Sequence, residues 1–202
     1  MPRPLIEGLK RFRRDVFPRY RDHYARLVAE GQSPKTLFLG CADSRVVPDL
    51  LTSTKPGDLF VVRNVGGFVP PFEPDFSFHG TSAGIEYATL VLGVKDIVVC
   101  GHSHCGAIRA LYDPPREDTP HIVKWLELAH TAKLEEPVND DVVRRTEMRS
   151  IVLQVERLMT YPTVRDQVER GQLFLHGWYY VIEEGRVLAL DAETGEFQPV
   201  TG

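Results

Sequence analysis

The sequence has 202 residues, of which 43% are hydrophobic and 26% are charged, a balance typical of one globular domain with a core of useful size. Its formal net charge of −4 argues against a basic surface that binds nucleic acid. No apolar run approaches the roughly 20 residues that cross a bilayer, and no apolar signal follows the basic N-terminus. We therefore expect neither nucleic acid nor a membrane as a partner.

The first part of the chain follows a helical pattern. Apolar side chains recur at steps of four and three residues, at Leu5, Leu9, Phe12 and Val16. Pro18 is expected to break or kink this helix, and a second helical piece ends near Gly31. The pattern predicts a helical arm over residues 1–31.

Short apolar runs farther along the chain predict strands, at 36–40, 58–63, 96–100, 173–182 and 186–190. Helical patterns separate most of them, at 85–92, 122–134 and 142–159. This alternation predicts an α/β fold with a mostly parallel central sheet that is flanked by helices. The last two strands, joined by a turn at Glu184 and Gly185, predict an antiparallel hairpin at the edge of the sheet. The α/β core covers 36–191, and with the arm it makes a single domain over 1–202.

The chain has three cysteines, at positions 41, 100 and 105, and this low, odd number argues against a disulfide framework. It favours a reducing compartment, where cysteine together with histidine indicates a metal. Cys100 lies inside a predicted strand and is interpreted as a core residue. A redox enzyme is the rival class, but it would favour a C-x-x-C pair, which the sequence lacks.

Three candidate metal ligands follow two of the predicted strands. Cys41 comes directly after strand 36–40, and His102 and Cys105 come after strand 96–100. Sites in such sheets lie at the carboxyl ends of the strands. Two sulfurs and one nitrogen suit Zn²⁺, and three protein ligands leave the open position of a catalytic site. The alternatives are that His104 replaces His102 as a ligand, or that all three are ordinary core and turn residues.

A charged pair stands next to the first candidate ligand. Asp43 is two residues from Cys41, and Arg45 is two residues farther on. Arginine forms bidentate pairs with carboxylates, so an Asp43–Arg45 pair would keep the carboxylate ionised and turn it away from the metal. The alternative is an ordinary surface ion pair in a loop.

The motif C-x-D-S-R at 41–45, followed by H-x-x-C at 102–105, resembles the β-class carbonic anhydrases. The resemblance extends over nearly the whole chain, as far as HGWYY at 176–180. It implies a lyase that hydrates carbon dioxide reversibly to bicarbonate and a proton, by attack of a zinc-bound hydroxide. It further implies one Zn²⁺ per chain on Cys41, His102 and Cys105, with Asp43 and Arg45 as the catalytic pair beside it.

Further positions are similar to the plant-like branch of that family, and the resemblance implies that they bind the substrate: Gln32, Phe60, Val65, Tyr87 and Gly106. In that branch the glutamine donates a hydrogen bond to the substrate, and the apolar side chains line a pocket, partly from a neighbouring subunit. Without the resemblance, the same residues would be interpreted as core and loop positions.

A second branch has a closed state controlled by bicarbonate and carries a tryptophan three residues before the first cysteine. Phe38 occupies that position here, although Arg63 and Tyr180 match the other bicarbonate contacts of that branch. We therefore expect Asp43 to stay off the metal near neutral pH, although it is the possible fourth ligand of a closed state.

The resemblance also implies an assembly, in which the N-terminal helices embrace a second subunit to give a homodimer or a higher homo-oligomer. Two segments, 101–108 and 176–185, are similar to carboxysomal members, which carry a C-terminal extension. Because this sequence stops at Gly202, we expect a cytoplasmic location, with the carboxysome as the alternative. The candidates for a proton shuttle are His79 and His104.

Two alternative functions remain open from the sequence. The first is a hydrolase of the same fold that acts on another carbon substrate, such as carbon disulfide. The second is a non-enzymatic scaffold with a structural zinc, which would require a fourth cysteine or histidine ligand at suitable spacing.

Overall fold

The computed structural model describes residues 2–75, 77–113, 116 and 118–200. The chain divides into two compact units, Met1–Ser33 and Pro34–Gly202. Among the described residues, no helix has both the length and the apolar composition of a bilayer-spanning segment.

The N-terminal unit consists of two helices joined by a π-helical turn. Helix α1 covers Arg3–Arg11, the turn covers Phe12–Val16, and α2 covers Phe17–Glu30. Pro18 was predicted to break or kink the helix; it lies in the first turn of α2, directly after the π-helical turn, and the backbone at Val16 and Phe17 stays right-handed helical. None of the residues in these three segments is buried.

The second unit is built on a six-stranded sheet in its described part. The strands are β1 Thr36–Cys41, β2 Leu59–Asn64, β3 Asp96–His102, β4 Phe174–Val181, β5 Arg186–Leu190 and β6 Phe197–Pro199. Their order across the sheet is β2-β1-β3-β4-β5-β6; the first four are parallel, and β5 and β6 are antiparallel. The mostly parallel sheet is therefore confirmed. The antiparallel part has one strand more than the predicted hairpin, because β6 extends the sheet beyond residue 191.

Helices lie between the strands, at α3 Pro48–Thr52, α4 Gly80–Glu86, α5 Gly106–Arg109, α6 Pro120–Leu126, α7 Asp140–Leu158 and α8 Pro162–Glu169. A π-helical segment, Tyr87–Leu92, extends α4 and ends at Gly93, whose φ of 63° is the left-handed conformation that ends many helices. A 3₁₀ segment, Glu127–Ala132, extends α6. The three predicted helical regions are confirmed, whereas α3, α5 and α8 were not predicted.

The side chains of the central strands alternate between two apolar clusters. Leu37 and Leu39 belong to the larger cluster, to which α7 contributes Ile151. A Cβ atom at Gly101 of β3 would lie 2.7 Å from the Ile151 side chain, so α7 approaches β3 as closely as it does because this position is glycine. Phe38 points to the opposite face, where its ring lies 6.5 Å from that of Trp178.

The order of the strands determines where the candidate ligands meet. Strands β1 and β3 are parallel neighbours, so Cys41, the last residue of β1, and His102, the last residue of β3, lie at adjacent carboxyl ends. The loop after β2 passes close behind Cys41, where a Cβ atom at Gly67 would lie 3.1 Å from the Cys41 amide nitrogen. Gly67 also has a φ of +66°, which favours glycine.

Candidate active site

The side chains of Cys41, His102 and Cys105 converge at the carboxyl ends of β1 and β3. Their ligand atoms all lie within 4.8 Å of one another, and all three residues are buried. Cys105 reaches the group from the turn that precedes α5. Within the described part of the chain, the group has these three members and no fourth.

The imidazole of His102 is oriented by the backbone. Its Nδ1 lies 2.8 Å from the carbonyl oxygen of Ser103, which only accepts hydrogen bonds, so Nδ1 carries the proton and Nε2 has a free lone pair. That Nε2 atom is buried and has no hydrogen-bond partner among the described residues. An unpaired buried nitrogen is unfavourable, and a metal ion held with the two sulfurs would satisfy it. The residues present therefore fit a metal ion with nitrogen and sulfur ligands.

The two thiols of the group differ in acidity. Cys105 hydrogen-bonds to Cys41, which lowers the pKa of Cys41 to about 4, whereas the same contact and burial raise the pKa of Cys105. The amide of Asp43 also donates towards the Cys41 sulfur, at 3.4 Å. The group therefore favours a thiolate, which is the form of cysteine that binds metals.

Two neighbouring residues stay outside the group. Cys100 is a free, buried cysteine in β3, and burial raises the pKa of its thiol to about 12, so its interpretation as a core residue agrees with the structure. The side chain of His104 is 65% exposed and lies 3.5 Å from Glu183, and the group of converging side chains contains His102 instead.

Asp43 and Arg45 form a bidentate pair. The Arg45 Nε donates to Asp43 Oδ1 at 2.9 Å, and Nη2 donates to Oδ2 at 2.7 Å. The guanidinium of Arg45 is the largest cause that holds the pKa of the Asp43 carboxyl well below its usual range. Asp43 Oδ2 lies 3.9 Å from the unpaired His102 Nε2, so the carboxylate faces the group of candidate ligands.

Arg63 supports the loop that carries Asp43. Its Nε donates to the carbonyl oxygen of Cys41 at 2.9 Å, and its Nη2 donates to the carbonyl oxygen of Asp43 at 2.7 Å. The sequence connected Arg63 only with the bicarbonate contacts of the second branch. In this structure the guanidinium holds two backbone carbonyls of the loop after β1.

The residues predicted to bind substrate lie in several places. The rings of Phe60 and Tyr87 are stacked with their centroids 5.7 Å apart. Val65 follows β2 and is 48% exposed, and Gly106 follows Cys105 at the start of α5. Gln32 is exposed and belongs to the N-terminal unit. The role of these residues in binding substrate stays a prediction.

One carboxylate beside the group was not predicted from the sequence. Glu147, on α7, is buried and accepts a hydrogen bond from the backbone amide of Cys105 at 2.8 Å. The available signal was the position of an acidic residue on the apolar face of a long helix, next to Val143 and Ile151.

Comparisons with known proteins identify a family and relatives of the chain. Residues 36–187 match the model of the family described as carbonic anhydrase. A carbonic anhydrase of Pseudomonas aeruginosa is 42% identical over 201 residues, which cover 96% of this chain and 90% of that protein. A carbonic anhydrase of Synechocystis sp. is 41% identical over 203 residues, covering 96% of this chain and 72% of that protein.

Solved structures show the same fold. The β-carbonic anhydrase CcaA superposes with a TM-score of 0.92 and 38% identity, over 99% of this chain and 92% of that one. One of two β-carbonic anhydrases of Sordaria macrospora, described as tetrameric, has a TM-score of 0.79 and 28% identity, over 95% of this chain and 98% of that one.

A buried Cys–His–Cys group at the carboxyl ends of parallel strands, beside the Asp43 carboxylate, defines an α/β protein with a site that could hold a metal ion. The chain belongs to the carbonic anhydrase family, in its β class. It is an enzyme that catalyses the reversible hydration of carbon dioxide to bicarbonate and a proton.

Proposed function

We propose that this carbonic anhydrase works with one Zn²⁺ per chain, bound by Cys41, His102 and Cys105. The observation that carries the proposal is the buried, unpaired Nε2 of His102 beside two cysteine thiols. Three ligands of this type are the minimum set of a catalytic zinc site and leave one position for water or substrate. A structural zinc would require a fourth protein ligand.

The chemistry that zinc supplies when bound is the acidification of a water ligand. The reference value for such a water, a pKa of about 7, belongs to a carbonic anhydrase with three histidine ligands. Two thiolates donate more charge to the metal than two imidazoles do, so we expect a weaker acid here.

Asp43 accepts a hydrogen bond from the attacking water and so orients an oxygen lone pair towards carbon dioxide. Arg45 keeps the carboxylate ionised and holds both of its oxygens, and Arg63 holds the backbone on either side. These contacts support a position of Asp43 off the metal near neutral pH. A crystal structure of the zinc-loaded enzyme near pH 8 tests this, because an Asp43 carboxylate bound to the metal contradicts it.

Carbon dioxide is uncharged, so an apolar wall is the suitable means of holding it near the nucleophile. Phe60, Val65 and Tyr87 supply such side chains, Gly106 leaves room beside Cys105, and Gln32 donates a hydrogen bond to the substrate. The stacked pair of Phe60 and Tyr87 and the partial exposure of Val65 support this assignment.

The enzyme forms a homodimer or a higher homo-oligomer through its N-terminal helices. The arm exposes a row of large apolar side chains, which supports association with a second copy: Leu5, Leu9, Phe12 and Val16. Tetramers of the related Sordaria macrospora enzymes support an assembly larger than a dimer. Three free cysteines and the absence of a disulfide among them support a location in the cytoplasm.

Metal analysis combined with a stopped-flow assay of carbon dioxide hydration tests the proposed centre. We expect one zinc per chain, loss of activity on removal of zinc by a chelator, and recovery on its return. Full activity of the zinc-free protein would contradict the proposal. The same preparation should be assayed with carbon disulfide, which distinguishes the rival hydrolase from the hydration of carbon dioxide.

A further inference from the structure

A buried carboxylate connects three parts of the second unit. Glu147 lies in the middle of α7, only 3% exposed, and points towards the ends of β3 and β4. Its Oε1 accepts from the Cys105 amide at 2.8 Å, and its Oε2 accepts from the Tyr179 hydroxyl at 2.7 Å. Each carboxylate oxygen therefore has a donor, and the two donors lie on different elements.

Burial of a carboxylate is unfavourable unless hydrogen bonds compensate for the lost water. Burial raises the pKa of Glu147, and the bonds from Tyr179 and Cys105 act in the opposite direction. Tyr179 is itself fully buried, and Glu147 is the acceptor for its hydroxyl. A residue that only filled this space would be apolar, as the neighbouring Ile151 is. Glu147 instead supplies a hydrogen-bond acceptor to the Cys105 amide and to the Tyr179 hydroxyl.

The turn that Glu147 contacts carries two of the three proposed zinc ligands. His102 and Cys105 stand at its two ends, and Ser103 anchors it on the other side. The Ser103 hydroxyl donates to Glu183 at 2.6 Å and accepts from the Ile182 amide at 2.9 Å. Ser103 thus ties the start of the turn to the end of β4, whereas Glu147 ties its end to α7.

Glu147 contacts the backbone amide of Cys105 and not its sulfur. The carbonyl oxygen of Cys105 accepts from the Arg109 amide at 3.0 Å, in the first turn of α5. The backbone nitrogen is held by Glu147, so the backbone that carries Sγ is held on both sides of the residue. Partners of this kind, one step away from the metal, orient the ligands of metal sites.

We propose that Glu147 is a positioning residue of the zinc site: it holds the Cys105 amide so that the Cys105 sulfur stays in place to bind zinc together with Cys41 and His102. This inference rests on the proposed zinc centre. Glu147 acts through the backbone of Cys105, and its other hydrogen bond comes from the Tyr179 hydroxyl.

Two substitutions of Glu147 distinguish its role as a hydrogen-bond acceptor from the effect of its negative charge. Glu147→Gln removes the charge but keeps an oxygen that accepts from the Cys105 amide, and its NH₂ group donates to Tyr179. Glu147→Asp keeps the charge but is one methylene shorter, so its carboxylate falls short of the amide. We expect Glu147→Asp to raise the zinc dissociation constant about 10- to 100-fold, as loss of such partners does elsewhere, and Glu147→Gln to stay near the wild type.

The matched control is Thr146→Val on the same helix. Thr146 is fully buried and lies 2.5 Å from the Tyr112 hydroxyl, so its loss disturbs α7 without touching the turn. The zinc dissociation constant is measured by competition with a fluorescent chelator, and the stability of each zinc-free variant is measured by urea unfolding. Thr146→Val should lose stability without a change in zinc affinity.

Hydrogen exchange on the unaltered, zinc-free protein is a second test that requires no variant to fold. The Cys105 amide should be protected, because Glu147 accepts from it before any metal arrives. Rapid exchange at this amide, or a Glu147→Asp variant that binds zinc as tightly as the wild type, would overturn the positioning role. A wild-type protein that binds no zinc would instead overturn the zinc centre, so the two failures are distinguishable.

Discussion

Arg45 donates to both carboxylate oxygens of Asp43, and the same Nη2 donates to the carbonyl oxygen of His104 at 3.0 Å. The guanidinium therefore connects the loop after β1 with the turn after β3, the two segments that carry the proposed zinc ligands. One planar group fixes both the ionisation of the carboxylate and the spacing of two loops, and the first two predictions follow from this arrangement.

Replacement of Asp43 with alanine removes the group that orients the attacking water. We expect the turnover rate to fall roughly 100-fold or more, the usual contribution of a positioned carboxylate, while zinc content stays near one per chain. Stopped-flow hydration and metal analysis of the same sample measure the two effects. Glu193→Ala, which removes an exposed carboxylate between β5 and β6, serves as the control. Full activity of Asp43→Ala would refute the assigned role.

Arg45→Lys keeps the positive charge but loses the planar fork that contacts both oxygens. The bond to the His104 carbonyl and the bidentate pair cannot both be made by one ammonium group in the same geometry. We expect an activity loss on the order of tenfold, smaller than that of Asp43→Ala, with zinc retained. A lysine variant with wild-type turnover would show that the charge alone is sufficient.

The cysteines should divide into two classes when each is replaced with alanine. Cys41→Ala and Cys105→Ala remove proposed ligands, so we expect both variants to lose zinc and activity. Cys100→Ala is the matched control, because Cys100 is equally buried but lies outside the group. It should cost about 1 kcal/mol in the free energy of unfolding and leave zinc content unchanged. Loss of zinc from Cys100→Ala would contradict this division.

Phe60→Ala removes one ring of the stacked pair with Tyr87. If this pair forms a wall of the substrate pocket, kcat/KM should fall on the order of tenfold at unchanged zinc content, because the site loses apolar contact with carbon dioxide. Val91→Ala, an exposed position in the same helical segment as Tyr87, is the control. An unchanged kcat/KM would remove the pair from the pocket.

Charged substitutions in the exposed apolar row of the arm test whether this row contacts a second copy of the chain. Leu5 and Leu9 are 67% and 66% exposed, and we expect Leu5→Asp combined with Leu9→Asp to shift the protein to a smaller assembly. Sedimentation velocity measures the change, and Glu7→Gln on the same helix is the control. An assembly of unchanged size would show that this row does not contact a second copy.

The main strands were predictable because a buried parallel strand is a continuous apolar run, and 36–40 and 96–100 are of this kind. The meeting of Cys41 and His102 then follows from the rule that such strands end at one edge of the sheet. Strand β6 was not predictable, because it has only three residues and ends on a proline, so it lacks any period of its own. The short helices α3 and α5 were not predicted either, because each is too short to show a helical period.

The supporting contacts of the site were less accessible to sequence reasoning. The pair of Asp43 and Arg45 is local, so its spacing indicated it directly. Glu147 and Arg63 act on backbone atoms, the Cys105 amide and the Cys41 carbonyl, and every residue has these atoms. A contact with the backbone therefore does not restrict which amino acid stands at the contacted position, and the sequence carries no signal of it. Glu147 reaches the site because α7 packs on β3, and Arg63 reaches it because β2 pairs with β1.

X-ray absorption at the zinc edge of the purified enzyme tests the central claim most directly, because it counts the ligand atoms around the metal. We expect one zinc per chain with two sulfur ligands at about 2.3 Å, one imidazole nitrogen and one further light atom. A metal-free protein with full hydration activity, or a zinc surrounded by four sulfur and imidazole ligands, would contradict it.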